Sequence, residues 1–346
     1  MITELKGWVA QSHRAQAATR PQWGFTSAAV SSVWAPCASG VEDAASSLFV
    51  TAPVCQYPVN DALPTCDVGT LDAVSAWETD ILDGFVKRDT AHATVVQPDF
   101  QPDDPSSVVI QLHGYNDYFF QAHVARAFTD AGIAFYAVDA RRAGRSIRRG
   151  DLPHFFRDIG EQGQDLTDAV AVAREDFPES PIVIHGHSTG GLAALAWAAD
   201  AGDPAALVLN SPFVSSIWTP EDRRRAMLLP LLAKARPTTV VAEAPSRYAA
   251  RMHVDGGGEW SFDTGWKRPE GTPARAAWTL AVERAHQRVE RGLGLDVPVL
   301  LAVSETSGPD ADDNPRLASQ DTVLDVEAIV RLAPAIGADV TVHRVR

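Results

Sequence analysis

Three cysteines in 346 residues are too few, and odd in number, for a closed disulfide framework. Cys37, Cys55 and Cys66 all fall near the N-terminus without the tight spacing of metal ligands, so reduced thiols are the plain reading. Basic residues are also scarce: 30 Lys and Arg stand against 44 Asp and Glu, and the net charge of −14 repels phosphate backbones and anionic lipid surfaces. Nucleic acid is not an expected partner. No apolar run approaches the ~18 residues of a membrane span; the densest, Leu192 to Ala199, is far shorter. Glu4 and Lys6 stand where an export signal needs basic and then strongly apolar residues, and Pro21 to Val41 is rich in Ser, Thr and Pro. A cytoplasmic location without a membrane span is expected.

What is present is the composition of a folded globule, 45% hydrophobic and 21% charged. The 346 residues are about twice the ~150 of one domain, which fits one large α/β domain with insertions or two small domains. Residues 1–70, rich in Ala, Ser, Thr and Pro, read as an N-terminal extension of no legible role, and 71–346 as the main domain. Strands are expected at Gly84 to Lys87, Ala93 to Gln97, Val108 to Leu112, Ile133 to Val138, Ile182 to His185, Ala206 to Leu209, Pro298 to Val303 and Val340 to Val345. Helices are expected at Gln121 to Ala131, Gly163 to Asp176 and Thr189 to Ala199. Such alternation predicts βαβ crossovers and a mostly parallel sheet covered on both faces. From Ser211 to about Thr272 prolines and the triplet Gly256, Gly257 and Gly258 break the rhythm, marking an insertion.

The strongest local signal is Gly186-His187-Ser188-Thr189-Gly190-Gly191, a G-x-S-x-G pattern between an apolar strand and an Ala/Leu-rich helix. In that context a sharp turn lifts the serine hydroxyl above the sheet, and the flanking glycines avoid side-chain clashes. A phosphate-binding turn is the plainer alternative, but no Lys follows as in a P-loop. His113-Gly114-Tyr115 ends an earlier strand, where the loop can lend a backbone N–H to a developing oxyanion; Tyr115 and Thr189 would supply the pair. The plain alternative is a chain turn. Asp139, followed by Arg142, Gly144, Arg145 and Ser146, reads as scaffolding.

With H-G-Y, the Asp139 turn, G-H-S-T-G-G and L-N-S-P-F at Leu209 to Phe213 in one order, the chain resembles the α/β-hydrolases of the monoacylglycerol lipase, lysophospholipase and serine aminopeptidase group. The resemblance runs from about Trp77 to the C-terminus. It implies an eight-stranded sheet, a helical cap inserted after the sixth strand at about 211–272, and no cofactor. It also implies the chain order Ser, acid, His.

Six carboxylates follow the strand at 298–303: Glu305, Asp310, Asp312, Asp313, Asp321 and Asp325. Asp321 matches the segment in which the resembled family places its acid, whereas Asp325 suits a helix N-cap. Only His343 follows Asp321, in the middle of the last strand, where a side chain points at a helix layer. Similar proteins carry their catalytic His in the loop after that strand, so the third member is expected beyond Arg346, with His343 the alternative. His185 and His187 form an H-x-H without a nearby third ligand, and the turn explains them without metal. Trp218, Trp260, Trp266, Phe213 and Phe262 line an acyl pocket or pack the cap, and the sequence does not choose.

The expectation is a serine hydrolase of a small-molecule carboxylic ester, acylglycerol or lysophospholipid-like, with Ser188 as nucleophile, Asp321 as acid and an oxyanion hole at Tyr115 and Thr189. Peptidase and acyltransferase chemistry use the same acyl-enzyme. Carried beside it are a non-catalytic binding protein of the same fold and a truncated, inactive chain without its His. Oligomeric state is not legible.

Overall fold

The structure, a computed structural model, describes residues 76–200, 202–215, 226–243, 252–309, 314–316 and 319–345. The extension at 1–70 with its three cysteines, and Trp218, Asp310, Asp312, Asp313 and Arg346, lie outside the described residues.

Strand β1 (Glu78–Thr79) pairs antiparallel with β2 (Phe85–Asp89), which pairs with β3 (Thr94–Pro98). Then comes β4 (Val108–Leu112), whose five residues are all buried, as a strand covered on both faces requires. Helix α1 (Ala122–Asp130) stops where Gly132 adopts φ +69° and its N–H donates to the Thr129 carbonyl, and β5 (Ala134–Asp139) follows. Helix α2 (Gly160–Asp176), β6 (Ile182–His187), α3 (Thr189–Asp200) and β7 (Ala206–Asn210) continue the alternation. Within the insertion lie α4 (Leu229–Ala235), with Pro230 in its first turn, and β8 (Val240–Ala242). β8 pairs with β9 (Ala274–Arg275), just ahead of α5 (Ala276–Glu290). β10 (Val299–Ser304), α6 (Val326–Ile336) and β11 (Val340–Val345) complete the described chain.

The strand order is β1-β2-β3-β5-β4-β6-β7-β10-β11, parallel from β5 to β11 and antiparallel from β1 through the β3–β5 pairing. The sheet thus has nine strands rather than the eight implied by resemblance. The addition is β1, whose two residues are too few for alternation to reveal. Ile110, Ile184 and Leu207 pack on one face with Leu166, Leu192 and Ile329 of the helices, and Val109, Val183 and Val208 on the other with Val124 and Phe128 of α1. The carboxyl ends of β4, β6, β7 and β10 therefore open side by side, which is where ligands meet parallel sheets. No described helix is long and apolar enough to cross a membrane.

Candidate active site

β6 ends at His187 and α3 starts at Thr189, leaving Ser188 alone at the corner with φ +51°. A side-chain-bearing residue reaches that region at a cost of about 1–3 kcal/mol and stays there only when its surroundings over-determine it. They do: Ser188 N–H donates to the Asn210 carbonyl (3.1 Å), and the Ser188 carbonyl accepts from Gly191 (3.0 Å), Leu192 (3.2 Å) and Phe213 (2.9 Å) N–H groups. The turn also needs its small residues, since a Cβ on Gly190 would collide with the Leu112 and His113 carbonyl oxygens.

The end of β4 passes directly beside this corner. A Cβ on Gly114 would sit 3.0 Å from Ser188 Cβ. Buried His113 shapes the passage: its Nε2 accepts from Ala140 N–H (3.1 Å), which leaves Nδ1 to donate to the Gly114 carbonyl (2.7 Å) and fixes the tautomer. Two backbone donors then flank the serine. Neither Tyr115 N–H nor Thr189 N–H has a hydrogen-bond partner among the described residues, and Thr189 is the first residue of α3, where helix N–H groups have no intrahelical acceptor.

Comparison with known proteins returns the same architecture. Residues 103–257 match the family model described as serine aminopeptidase, S33. A monoacylglycerol lipase of Mycolicibacterium smegmatis is 37% identical over 125 residues, which is 35% of this chain and 44% of that protein. The match therefore spans less than half the length of that curated relative. A soluble variant of monoglyceride lipase from Saccharomyces cerevisiae, solved with a substrate analogue, aligns with a TM-score of 0.51 at 16% identity over 81% of this chain and 87% of that one. DcsB, complexed with its substrate analogue, gives 0.50 at 18% over 79% and 88%.

The chain has the α/β-hydrolase fold.

In this fold the loop after β10 carries Asp321, buried, its N–H on the Thr306 carbonyl (3.0 Å). One carboxylate oxygen, Oδ1, accepts the Val323 (2.9 Å) and Leu324 (2.8 Å) N–H groups. Burial pushes its pKa up, and these N–H groups, with a smaller contribution from the Ser211 hydroxyl, offset only part of that rise. Asp325 is different: exposed, it caps α6 by accepting the Ala328 N–H (3.0 Å).

Among the described residues no histidine ring hydrogen-bonds Ser188 or Asp321. His343 lies on edge strand β11 opposite Ala302, and its Nε2 is buried without a hydrogen-bond partner. His185 is buried in β6 and pushed down to about 3 by desolvation. His187 is lowered to about 4, chiefly by desolvation, against the pull of Asp117. His286 of α5 donates through Nε2 to the Phe213 carbonyl (2.8 Å), with Phe213 edge-on to its ring. No group of three metal-ligating side chains is found among the described residues.

Asp139 accepts Phe119 N–H on one oxygen and Arg145 on the other, while Arg145 also grips Asp80 through both carboxylate oxygens. That network braces the sheet end.

Sequence reading missed the segment after H-G-Y. Tyr115 OH donates to the Pro273 carbonyl (2.9 Å), Asn116 exchanges hydrogen bonds with the Arg268 backbone (2.9 and 3.1 Å), and Asp263 N–H donates to Tyr118 OH (2.7 Å). Between them Lys267, 2% exposed, reaches Asp117 Oδ1 at 2.9 Å under the rings of Phe120 and Phe262. Burial alone would raise the Asp117 carboxyl; Lys267, aided by His113 and His187, outweighs it and holds the group below its ordinary range. Trp260, Trp266 and Phe262 pack on Tyr118 and Phe120. The one available signal was the pair Asn116-Asp117 directly after the glycine turn, because a lone Lys267 has no pattern.

Proposed function

We propose that this chain is a serine hydrolase of carboxylic esters, acylglycerol or lysophospholipid-like, working through an acyl-enzyme on Ser188. The observation that carries the reading is Ser188 held at φ +51° between two partnerless backbone N–H groups. Ser188 Oγ attacks the ester carbonyl as a base takes its proton, and the negative charge that develops on the carbonyl oxygen is met by the Tyr115 and Thr189 N–H groups. Collapse of the adduct expels the alcohol, which takes up the proton, and water repeats the sequence on the acyl-enzyme. Asp321 is the orienting acid, and its burial with two backbone donors suits a carboxylate that must hold an imidazolium in one pose. His343 is not given the base's role, since its ring reaches neither partner. The insertion at 211–272 serves as a cap: it leaves the sheet after β7, and Asn116, Asp117 and Tyr118 hold its returning limb over the loop beside Ser188.

The test is p-nitrophenyl butyrate hydrolysis with fluorophosphonate labelling. Ser188→Ala should abolish labelling and cut turnover at least ~10³-fold; a variant keeping more than a tenth of the activity overturns the nucleophile. A second reading, a non-catalytic binder of the same fold, is favoured by the lack of any described histidine bonded to Ser188 or Asp321. It predicts an unlabelled parent chain.

A further inference from the structure

The loop that carries the Tyr115 N–H is shaped by the insertion rather than by the sheet. Among the described residues no backbone–backbone hydrogen bond ties residues 115–118 to a strand. The side chains of all four instead bond the returning limb of the insertion, residues 263–273. Asn116 makes the most of these bonds. Buried, and at φ +53°, a region that Asn enters more readily than most residues, it turns both ends of its amide to the limb. Nδ2 donates to the Arg268 carbonyl (2.9 Å), and Oδ1 accepts the Arg268 N–H (3.1 Å) and the Thr272 hydroxyl (3.0 Å). Tyr115 is held beside it, its OH on the Pro273 carbonyl (2.9 Å) and its ring 4.3 Å from that of Trp278. On the other side Gly114 abuts the Ser188 corner, with room for no side chain.

From this geometry we infer that Asn116 is a positioning residue: by binding the limb at Arg268 and Thr272 it fixes the Tyr115 N–H, so that the insertion sets how the oxyanion donor stands to Ser188. The inference rests on the reading of Ser188 as nucleophile and Tyr115 as oxyanion donor. Such a donor works only when aimed in advance, and a misplacement of about 1 Å can cost ~10²-fold in rate. Lys267 on Asp117 fastens the same limb, but Asn116 adjoins the donor itself and carries no charge.

The experiment compares Asn116→Gly and Thr272→Val with the parent chain. Glycine keeps the positive φ without strain and removes all three amide bonds, whereas valine removes one of them from the limb's side. Neither alters a charge, so the field of Asp117, Lys267, His113, His154 and His187 around the loop is kept. Two quantities are read: the split of p-nitrophenyl butyrate hydrolysis into kcat and KM, and the fluorine NMR titration of the adduct that an alkyl trifluoromethyl ketone forms with Ser188, whose hemiketal oxygen takes the oxyanion's place. Asn116→Gly should lower kcat about 10- to 100-fold and Thr272→Val about 3- to 10-fold, with KM within about twofold of the parent. The hemiketal titration should move up by roughly one pH unit for each tenfold lost in kcat. An Asn116→Gly variant that matches the parent in kcat and titration overturns the inference alone. A fall in kcat with the titration unmoved makes Asn116 a structural residue of the insertion and overturns it equally. If Asn116→Gly does not fold, Thr272→Val decides by the same two readings. A parent that forms no adduct overturns the nucleophile reading instead, and the role of Asn116 with it.

Discussion

Asp117 and Asp321 are both buried near the carboxyl ends of the same sheet, yet one is held below the ordinary carboxylate range and the other above it. Asp117 has a cation: Lys267 crosses from the insertion to meet it at 2.9 Å, and removing either partner would leave an uncompensated buried charge. Among the described residues Asp321 is hydrogen-bonded by two neutral backbone N–H groups and no cation, so its charged form is tolerated rather than satisfied. The first arrangement fastens two parts of a fold together. The second keeps a carboxylate available to a further partner. A raised carboxyl is not by itself the mark of a site, because Asp165 is raised by burial even with Arg141 at 2.8 Å. What separates Asp321 is its lack of a cation among the described residues.

The largest effect that would sharpen this contrast is Asp321→Asn, which should lower ester hydrolysis by up to ~10⁴-fold if the residue orients the base. The same substitution should leave the protein at least as stable at pH 7. Its folded pKa lies above the unfolded ~3.9, so folding favours the protonated acid and stability drains as pH rises through the folded value. Urea unfolding at pH 7 and the hydrolysis assay read both, and a marked loss of stability with unchanged turnover would make Asp321 a structural residue. Lys267→Met should act in reverse, costing about 3–5 kcal/mol by stranding Asp117. In the parent, the Asp117 contribution is complete above the unfolded ~3.9 and falls away only below it, towards the depressed folded value; the variant should lose that acid-side slope. Stability within 1 kcal/mol of the parent would break the comparison. The smallest effect belongs to Asp325→Ala, about 1 kcal/mol for a lost N-cap, with hydrolysis unchanged. Equal small losses of activity at 321 and 325 would move the acid to the carboxylates at 310–313.

The strands were legible to within one or two residues because a buried parallel strand leaves so few polar positions, and Ser188 was legible because its corner admits only certain neighbours. Gly190 is dictated by two carbonyl oxygens, not by preference. The proposed acid was harder to read. Any of six carboxylates could end a loop of free length; the resemblance pointed to Asp321, and the structure sets its burial against the exposed N-cap role of Asp325. Short elements escaped altogether: α4 opens on a proline that reads as a breaker, and β8 and β9 have three and two residues.

Residues 261–273 contain no helix and no strand, and a segment of that kind ordinarily exchanges its amide hydrogens by opening alone. Here the Asp263 and Arg268 amides donate to Tyr118 and Asn116, which are rooted just past β4, the middle strand of nine. Exposing them means pulling Lys267 off a buried carboxylate, so their exchange is expected to follow the slow openings of the sheet. An irregular stretch of chain is thereby fastened to the sheet's central strand.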